Sequence, residues 1–358
     1  MMRLQVERNP APVWFRVLIP LASILLTFLL TSGFVLAYGA NPLQAVYYFL
    51  IDPLSNHVRL IEVLVKTTPL LLTGTAVAFA FSGGYWNIGV EGQLYMGATA
   101  ATAIGLQMHN TPAWLALPLV IVGGILAGIA WAALPALMKV RLKIDEVVTT
   151  LLLNYVAIFF VSAILNGPWR NPVSQWPQSP EIAASAIFPR LIPRSRLHLG
   201  FLLAVLVVLG VWYILSRTSF GLKMKAVGFN SEAARFSGIN VERTMLAVAL
   251  TSGGIAGLAG AGEVAGIHFH LIDAISPGYG YTGIIIATLG ALNPIGVSLA
   301  ALFIGLIDTG SQTVSRALGV PAYLGDVLQA TLLLVTLGML LLQSYRITLR
   351  WRGRVPAE

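Results

Sequence analysis

Apolar residues along this chain gather into runs long enough to cross a bilayer, separated by short polar or basic stretches. The runs lie at 17–39, 60–82, 92–108, 113–138, 147–166, 199–216, 244–266, 281–293, 296–315 and 323–343. At 1.5 Å per helical residue the first reaches roughly 34 Å, enough for the hydrocarbon core. The pattern predicts an all-α fold, a polytopic membrane helix bundle of about ten transmembrane helices with broken or re-entrant segments. Asn293-Pro294 alone divides 281–315, and the first half is short for a span, so a partial helix is expected there. Ala37-Tyr38-Gly39 imitates a signal-peptidase site. The run before it exceeds the about 7–15 residues of a signal h-region, so a retained span is expected. Residues 40–59, with Tyr47, Tyr48 and Phe49, have the aromatic character of an interfacial segment.

The pattern is interrupted most sharply at residues 82–98, where five glycines, Asn87, Glu91 and Gln93 sit between two apolar runs. Backbone at membrane depth leaves the helix only where protein or a water-filled cavity satisfies it. A carboxylate there is costly and functional by default, and broken, glycine-interrupted spans are where transporters place their pathways. Asn and Gln offer both donors and acceptors, which suits a polar cargo in passage. Asn87, Glu91 and Gln93 therefore either line a translocation path or brace the broken helix beside it.

Composition agrees with the pattern. The 358 residues are 57% hydrophobic and 10% charged, with a mean hydropathy of +0.81, whereas soluble domains carry about 25% charge. The absence of cysteine excludes disulfides, thiolate metal sites and a cysteine nucleophile. The formal charge of +8 does not point to nucleic acid, because basic residues mark cytoplasmic loops of membrane proteins. With both termini cytoplasmic, 15 of the 22 Lys and Arg fall inside and 7 outside. Arg170, Arg190, Arg194 and Arg196 lie on the disfavoured side, in a long loop at 167–198 where the rule is weak. That loop is rich in proline, with Trp169 and Trp176, and fits either contact with a partner or simple connection. The expected organisation is a single transmembrane domain over 1–358. It has cytoplasmic tails at 1–16 and 344–358, an extracytoplasmic loop at 167–198 and a cytoplasmic segment at 217–243.

Within 217–243, Asn230 or Ser231 is a plausible N-cap, Glu232 suits the first turn, and Gly238 is placed to end the helix. A helix over 231–237 is expected. It is marginal alone, and Ala233 and Ala234 would permit close approach by a partner. In the span after it, Gly253/Gly257 and Gly262/Gly266 have the small-xxx-small spacing of close membrane packing. Glu263, Asp308 and Asp326 fall in or near the membrane, either on a pathway or paired within the bundle. His268 and His270 share no helix face and lack a third ligand, so no metal site is expected. No lysine follows a glycine as a P-loop requires, so this chain is expected to be no enzyme and any ATP hydrolysis belongs to another chain.

Asn87-Ile88-Gly89-Val90-Glu91-Gly92-Gln93 and the stretch from Ala226 through Gly228, Phe229, Asn230, Ser231, Glu232, Ala233, Ala234, Arg235, Phe236 and Ser237 to Gly238-Ile239 resemble the permeases of bacterial ABC importers for simple sugars and nucleosides. Branched-chain amino-acid permeases are more distant. The similarity runs from about 20 to 343, and Ile144-Asp145-Glu146-Val147-Val148-Thr149-Thr150-Leu151-Leu152-Leu153-Asn154-Tyr155 resembles the larger permease subunit of nucleoside importers. The resemblance implies a permease that moves a nucleoside, or alternatively a simple sugar, across the bacterial cytoplasmic membrane. It implies no cofactor in this chain, with ATP and Mg held by a partner ATPase. It also implies a second and non-identical permease, a cytoplasmic ATPase pair, an extracytoplasmic binding protein or lipoprotein, and no nucleic acid. On this footing Gly228, Asn230, Glu232, Ala233, Ala234, Arg235 and Gly238 are the expected ATPase-coupling residues. Asn87, Glu91, Gln93, Asn154 and Glu263 are the candidate path residues. The rival class is a stand-alone channel or ion-coupled carrier, which needs no ATPase dock.

Overall fold

The computed structural model describes residues 2–8 and 15–351. Strand β1 (Met2–Arg8) precedes α1 (Phe15–Ala37) and the short α2 (Pro42–Val46), which runs on through a π turn and a 3-10 turn to Leu54. Then come α3 (His57–Ser82), α4 (Val90–Gly105), α5 (Ala113–Leu142) and α6 (Glu146–Asn166). After a long loop the chain forms α7 (Leu199–Arg217), α8 (Ser219–Phe229), α9 (Ser231–Phe236) and α10 (Val241–Glu263). It closes with α11 (Tyr279–Leu289), α12 (Pro294–Leu318), α13 (Leu324–Ser344) and β2 (Tyr345–Trp351).

The molecule is a polytopic helical bundle. Among the described residues, six helices are long and apolar enough to cross a membrane, and further apolar helical stretches lie at Leu21–Ala37, Tyr279–Leu289 and Leu324–Met339. These do not establish the count of about ten crossings. Helix α4, over the apolar run at 92–108, has only 16 residues and starts directly after the turn at 83–89. The apolar stretch 281–315 is broken as its Asn-Pro suggested. Helix α11 has 11 residues, and Ala291 and Leu292 adopt positive φ in the turn before α12.

Two compact units divide the chain. The first comprises residues 1–47 and 314–358. In it α13 packs along α1, and β1 pairs antiparallel with β2, Met2 opposite Trp351 and Arg8 opposite Tyr345. The rest of the two expected tails, 9–14 and 352–358, lies outside the described residues.

The second unit, 48–313, is centred on α4, α5 and α10. Without a hydrophobic driving force between helices in lipid, association depends on backbones approaching closely enough for dispersion contact. Glycine supplies that approach. A Cβ on Gly97 of α4 would meet Gly257 of α10, and one on Gly128 of α5 would meet the Gly253 carbonyl. A Cβ on Gly260 would meet the Leu94 carbonyl. The Gly253/Gly257 pair is thus a close-packing element, as its spacing suggested. Gly262/Gly266 is not. Gly262 faces open space, and Gly266 packs on the imidazole of His198.

His198 ties down the loop at 167–198. Its Nδ1 accepts from the Gly200 N–H at 3.1 Å to cap α7, and burial pushes its pKa down to about 4, so the ring stays neutral and able to accept. Before it, Ser179, Ile182 and Phe188 donate backbone N–H groups to the carbonyls of Leu271, Phe269 and Ala265 at 2.9, 2.8 and 2.8 Å. The inner part of the loop is therefore strapped over the end of α10, while Val173 and Trp176 remain exposed at its tip.

Replacing Gly257 by Val inserts three carbons between α10, α4 and α5, where overpacking costs roughly 1–3 kcal/mol. We expect Gly257→Val to lower the melting temperature of detergent-purified protein markedly, and Gly262→Val, facing open space, to leave it unchanged.

Candidate functional site

The turn between α3 and α4 starts where Gly84 takes φ +73°, a conformation glycine adopts without steric cost. Its Cα lies against Gly228 of α8, and a Cβ at either glycine would collide with backbone of the other segment. After the turn, Asn87 N–H reaches only to the Tyr85 carbonyl and Ile88 N–H to Trp86, at 3.0 and 3.1 Å, so no helical ladder covers this segment.

Side-chain amides supply what the ladder does not. Asn87 Nδ2 donates to Gln93 Oε1 and to Ser252 Oγ of α10, both at 2.9 Å. Asn87 Oδ1 accepts from Gly89 N–H at 3.0 Å and from Gln93 Nε2 at 3.1 Å. All four hydrogen-bonding positions of the amide are used. Ser252 passes its own hydroxyl proton to the Ala76 carbonyl at 2.8 Å, tying the turn to α3. Asn154 of α6 clasps the start of α4 from the other side. Its Oδ1 accepts from Gly92 N–H at 2.8 Å, and its Nδ2 donates to the Ile88 carbonyl at 2.9 Å and to the Tyr281 hydroxyl at 3.2 Å. Thr150, one turn earlier on α6, accepts from Ile88 N–H at 3.2 Å.

Glu91 turns to α11. Its carboxylate accepts from Gly280 N–H at 2.6 Å, beside the Ser276 hydroxyl oxygen, which accepts from Gly278 and Tyr279 N–H at 3.2 and 2.9 Å. An anion at a helix N-terminus meets unsatisfied N–H groups and the positive end of the dipole. Gly280 must be glycine for this contact, because a Cβ would strike the Glu91 backbone. The half-length helix α11 is thus pinned by a carboxylate 189 positions away in sequence.

Of the five candidate path residues, Asn87, Glu91, Gln93 and Asn154 converge on this one break, and all are buried. In this conformation they brace the backbone. Glu263 stands apart at the end of α10, also buried, with His268 Nε2 at 3.7 Å. Ser252, Thr150, Gly280 and Tyr281 complete the network and were not singled out from sequence. Ser252 lies in a glycine-rich stretch that spacing had already marked. Tyr281 gave no signal at all.

The cytoplasmic candidates form a separate element. Asn230 Oδ1 accepts from Glu232 and Ala233 N–H, both at 3.0 Å, and caps α9. Gly238, at φ +79°, ends it, with its N–H on the Arg235 carbonyl at 3.0 Å. Glu232, Ala233 and Arg235 are exposed. Ala234 is not available for close approach by a partner, because it is buried against Val227 and Val241 of its own chain. The outward apolar groups are instead Phe229 and Phe236, at 90% and 94% exposure. Gly228, next to Phe229, is the residue seated on Gly84 of the break.

Residues 59–337 match the family described as the permease component of branched-chain amino acid transport systems. The chain is 33% identical to a glucose ABC transporter permease protein of Haloferax volcanii, over 98% of this chain and 96% of the relative. It is 33% identical to a guanosine ABC transporter permease protein of Bacillus subtilis, over 88% and 92% of the two chains. It is 29% identical to a nucleoside ABC transporter permease protein of Lactococcus lactis, over 89% and 90%.

Removing the Asn154 amide strands the Gly92 N–H and the Ile88 carbonyl in a dry interior, at about 1–3 kcal/mol per group. Asn154→Ala is therefore expected to lower thermal stability and uptake together, and unaltered melting would show that the clasp contributes nothing. Glu91→Gln keeps the shape but removes the charge at the α11 N-terminus, worth about 0.3–2 kcal/mol. Measured at equal membrane abundance, it should be milder than Glu91→Ala.

Proposed function

The chain belongs to the permease-component family of branched-chain amino acid transport systems, and from that premise we propose that it is the larger permease subunit of an ATP-driven nucleoside importer. It works in the cytoplasmic membrane with both termini inside, beside a second and non-identical permease. An ATPase pair on the cytoplasmic side holds ATP and Mg and hydrolyses the ATP, and an external binding protein or lipoprotein delivers the cargo. Names of relatives support the cargo class, one of them a guanosine and another a nucleoside permease protein. A simple sugar is the second reading, favoured by the glucose permease protein matched over nearly the whole chain.

The observation that carries the reading is the path from α9 to the break. Phe229, the last residue of α8, and Phe236, the last of α9, project from a corner whose inner side is locked by Ala234 against Val227 and Val241. Two aromatic side chains held out in this way suit insertion into a pocket of the ATPase, since buried aromatic anchors dominate interface energetics. One residue from Phe229, Gly228 rests on Gly84. A push on α9 would therefore reach the turn where α3 and α4 separate with no intervening side chain to absorb it. A self-sufficient carrier has no use for this arrangement. No bond of the cargo is made or broken here.

Losing an aromatic anchor costs about 2 kcal/mol or more, roughly a thirtyfold loss of association. Phe236→Asp should insert normally yet co-purify poorly with the ATPase pair and lose ATP-driven uptake. Full association and uptake by Phe229→Asp and Phe236→Asp would remove α9 as the dock. Guanosine uptake by vesicles holding the whole importer should require ATP and persist when a protonophore collapses the proton gradient. Loss of uptake with ATP still present would favour the ion-coupled carrier.

A further inference from the structure

The amides of Asn87 and Asn154 spend their donors and acceptors on groups of this chain that hold the break together, which leaves a cargo-facing surface to the exposed faces of the helices beside it. Helix α6 is among the most apolar spans, yet one strip of its surface is not lipid-like. Tyr155, Phe159, Ser162 and Asn166 follow one another at spacings of four, three and four residues, which places them on a single helix face. Tyr155 is 51% and Phe159 67% exposed. Asp273 and Tyr281, from the α10–α11 connection and α11, extend the same strip. Ser162 Oγ lies 3.4 Å from Asp273 Oδ2, and Tyr281 is held by Asn154 beside Tyr155. From the level of Asn154 to that of Asn166 the strip runs about 18 Å.

Lipid is a poor neighbour for this strip. Asn166 Nδ2 donates to the Ser162 carbonyl at 2.9 Å and Ser162 Oγ to Asp273 Oδ2 at 3.4 Å, yet a carboxylate facing hydrocarbon is costly, and ionisable groups in membrane spans characteristically face a bundle interior or a water-filled cavity. The charge balance is one-sided as well. No lysine or arginine occurs in 144–169 or in 244–315, so neither α6 nor α11 supplies a cation to the strip. The half-helix N-terminus that would attract an anionic group is already occupied by Glu91.

The geometry points to the α6–α11 face formed by Tyr155, Phe159, Ser162, Asn166, Asp273 and Tyr281 as one wall of the translocation path, open to the second permease and built for an uncharged, planar, hydroxyl-bearing cargo. The aromatic rings offer stacking surface to a base. Asp273 and Asn166 offer acceptors to sugar hydroxyls, and the Asp273 carboxylate disfavours a phosphorylated form. This rests on the reading of the chain as a nucleoside permease, and it adds which residues meet the cargo and which cargo they reject.

The absence of cysteine permits a direct test in the assembled importer in membrane vesicles. Single variants Tyr155→Cys, Ser162→Cys and Asn166→Cys would be labelled with a charged, membrane-impermeant methanethiosulfonate. Val156→Cys and Phe160→Cys, which point away from the strip on the same helix, serve as controls. Thiolates react where water reaches them, so the three strip positions should label during ATP turnover while the controls do not. Guanosine should slow the labelling, and guanosine monophosphate should not. Tyr155→Ala should lower guanosine transport about tenfold, the order expected for one lost base–aromatic stack. Labelling of the strip positions no faster than the controls would overturn the wall assignment, whatever the transport rate. A wild-type importer that carries no guanosine would instead overturn the nucleoside reading, and the labelling contrast would still decide where the path runs.

Discussion

Hydrocarbon offers backbone groups no hydrogen-bonding partner, and everything else in this bundle follows from how the chain leaves the helix at 83–89 without exposing them. Three amide side chains close the gap. Asn87 pairs with Gln93 and donates to Ser252, and Asn154 spans from Gly92 N–H to the Ile88 carbonyl. An unsatisfied amide in a dry interior costs several kcal/mol by transfer measurements, so the turn exists only while α6 and α10 stand beside it. That requirement orders the packing of α3, α4, α6 and α10 around one point.

The helices reach that point because their contact surfaces carry glycine. Gly97, Gly124, Gly128, Gly253, Gly257 and Gly260 let α4, α5 and α10 meet backbone to backbone. Such contacts leave no room for a side chain between the backbones. The parts held by directed polar contacts are different. Helix α11 is attached to the break through Glu91 and its N-terminal amides, and α8 through the bare approach of Gly228 to Gly84. Both elements also pack along their length, α11 against α3, where Gly283 lies on Thr73 and Ile286 on Gly74, and α8 against α7 and α10.

The exposed and buried sides of α9 extend the same logic to the membrane surface. A six-residue helix is marginal by itself, and here it is fixed by the Asn230 cap and by Ala234 packed on Val227 and Val241. Its shape is therefore set before any partner arrives, leaving its Phe236, and the Phe229 that ends α8, outward.

Much of this was legible in the sequence. Hydropathy marked the helices and Asn293-Pro294 their interruption. The glycines with Asn87, Glu91 and Gln93 marked the break, and Asn230 with Gly238 marked the ends of α9, because length, apolar content, caps and glycine are local properties. What only the tertiary structure decided is direction. It turned Ala234 inward and left Gly262 facing open space while Gly257 met Gly124. It joined Glu91 to Gly280 and placed Tyr281 beside Asn154. In a soluble protein, polarity would have told the two sides of a helix apart. In a membrane, lipid tails and protein interior are equally apolar, so hydropathy locates a span without saying which side faces the bundle, and only packing against the other helices settles it.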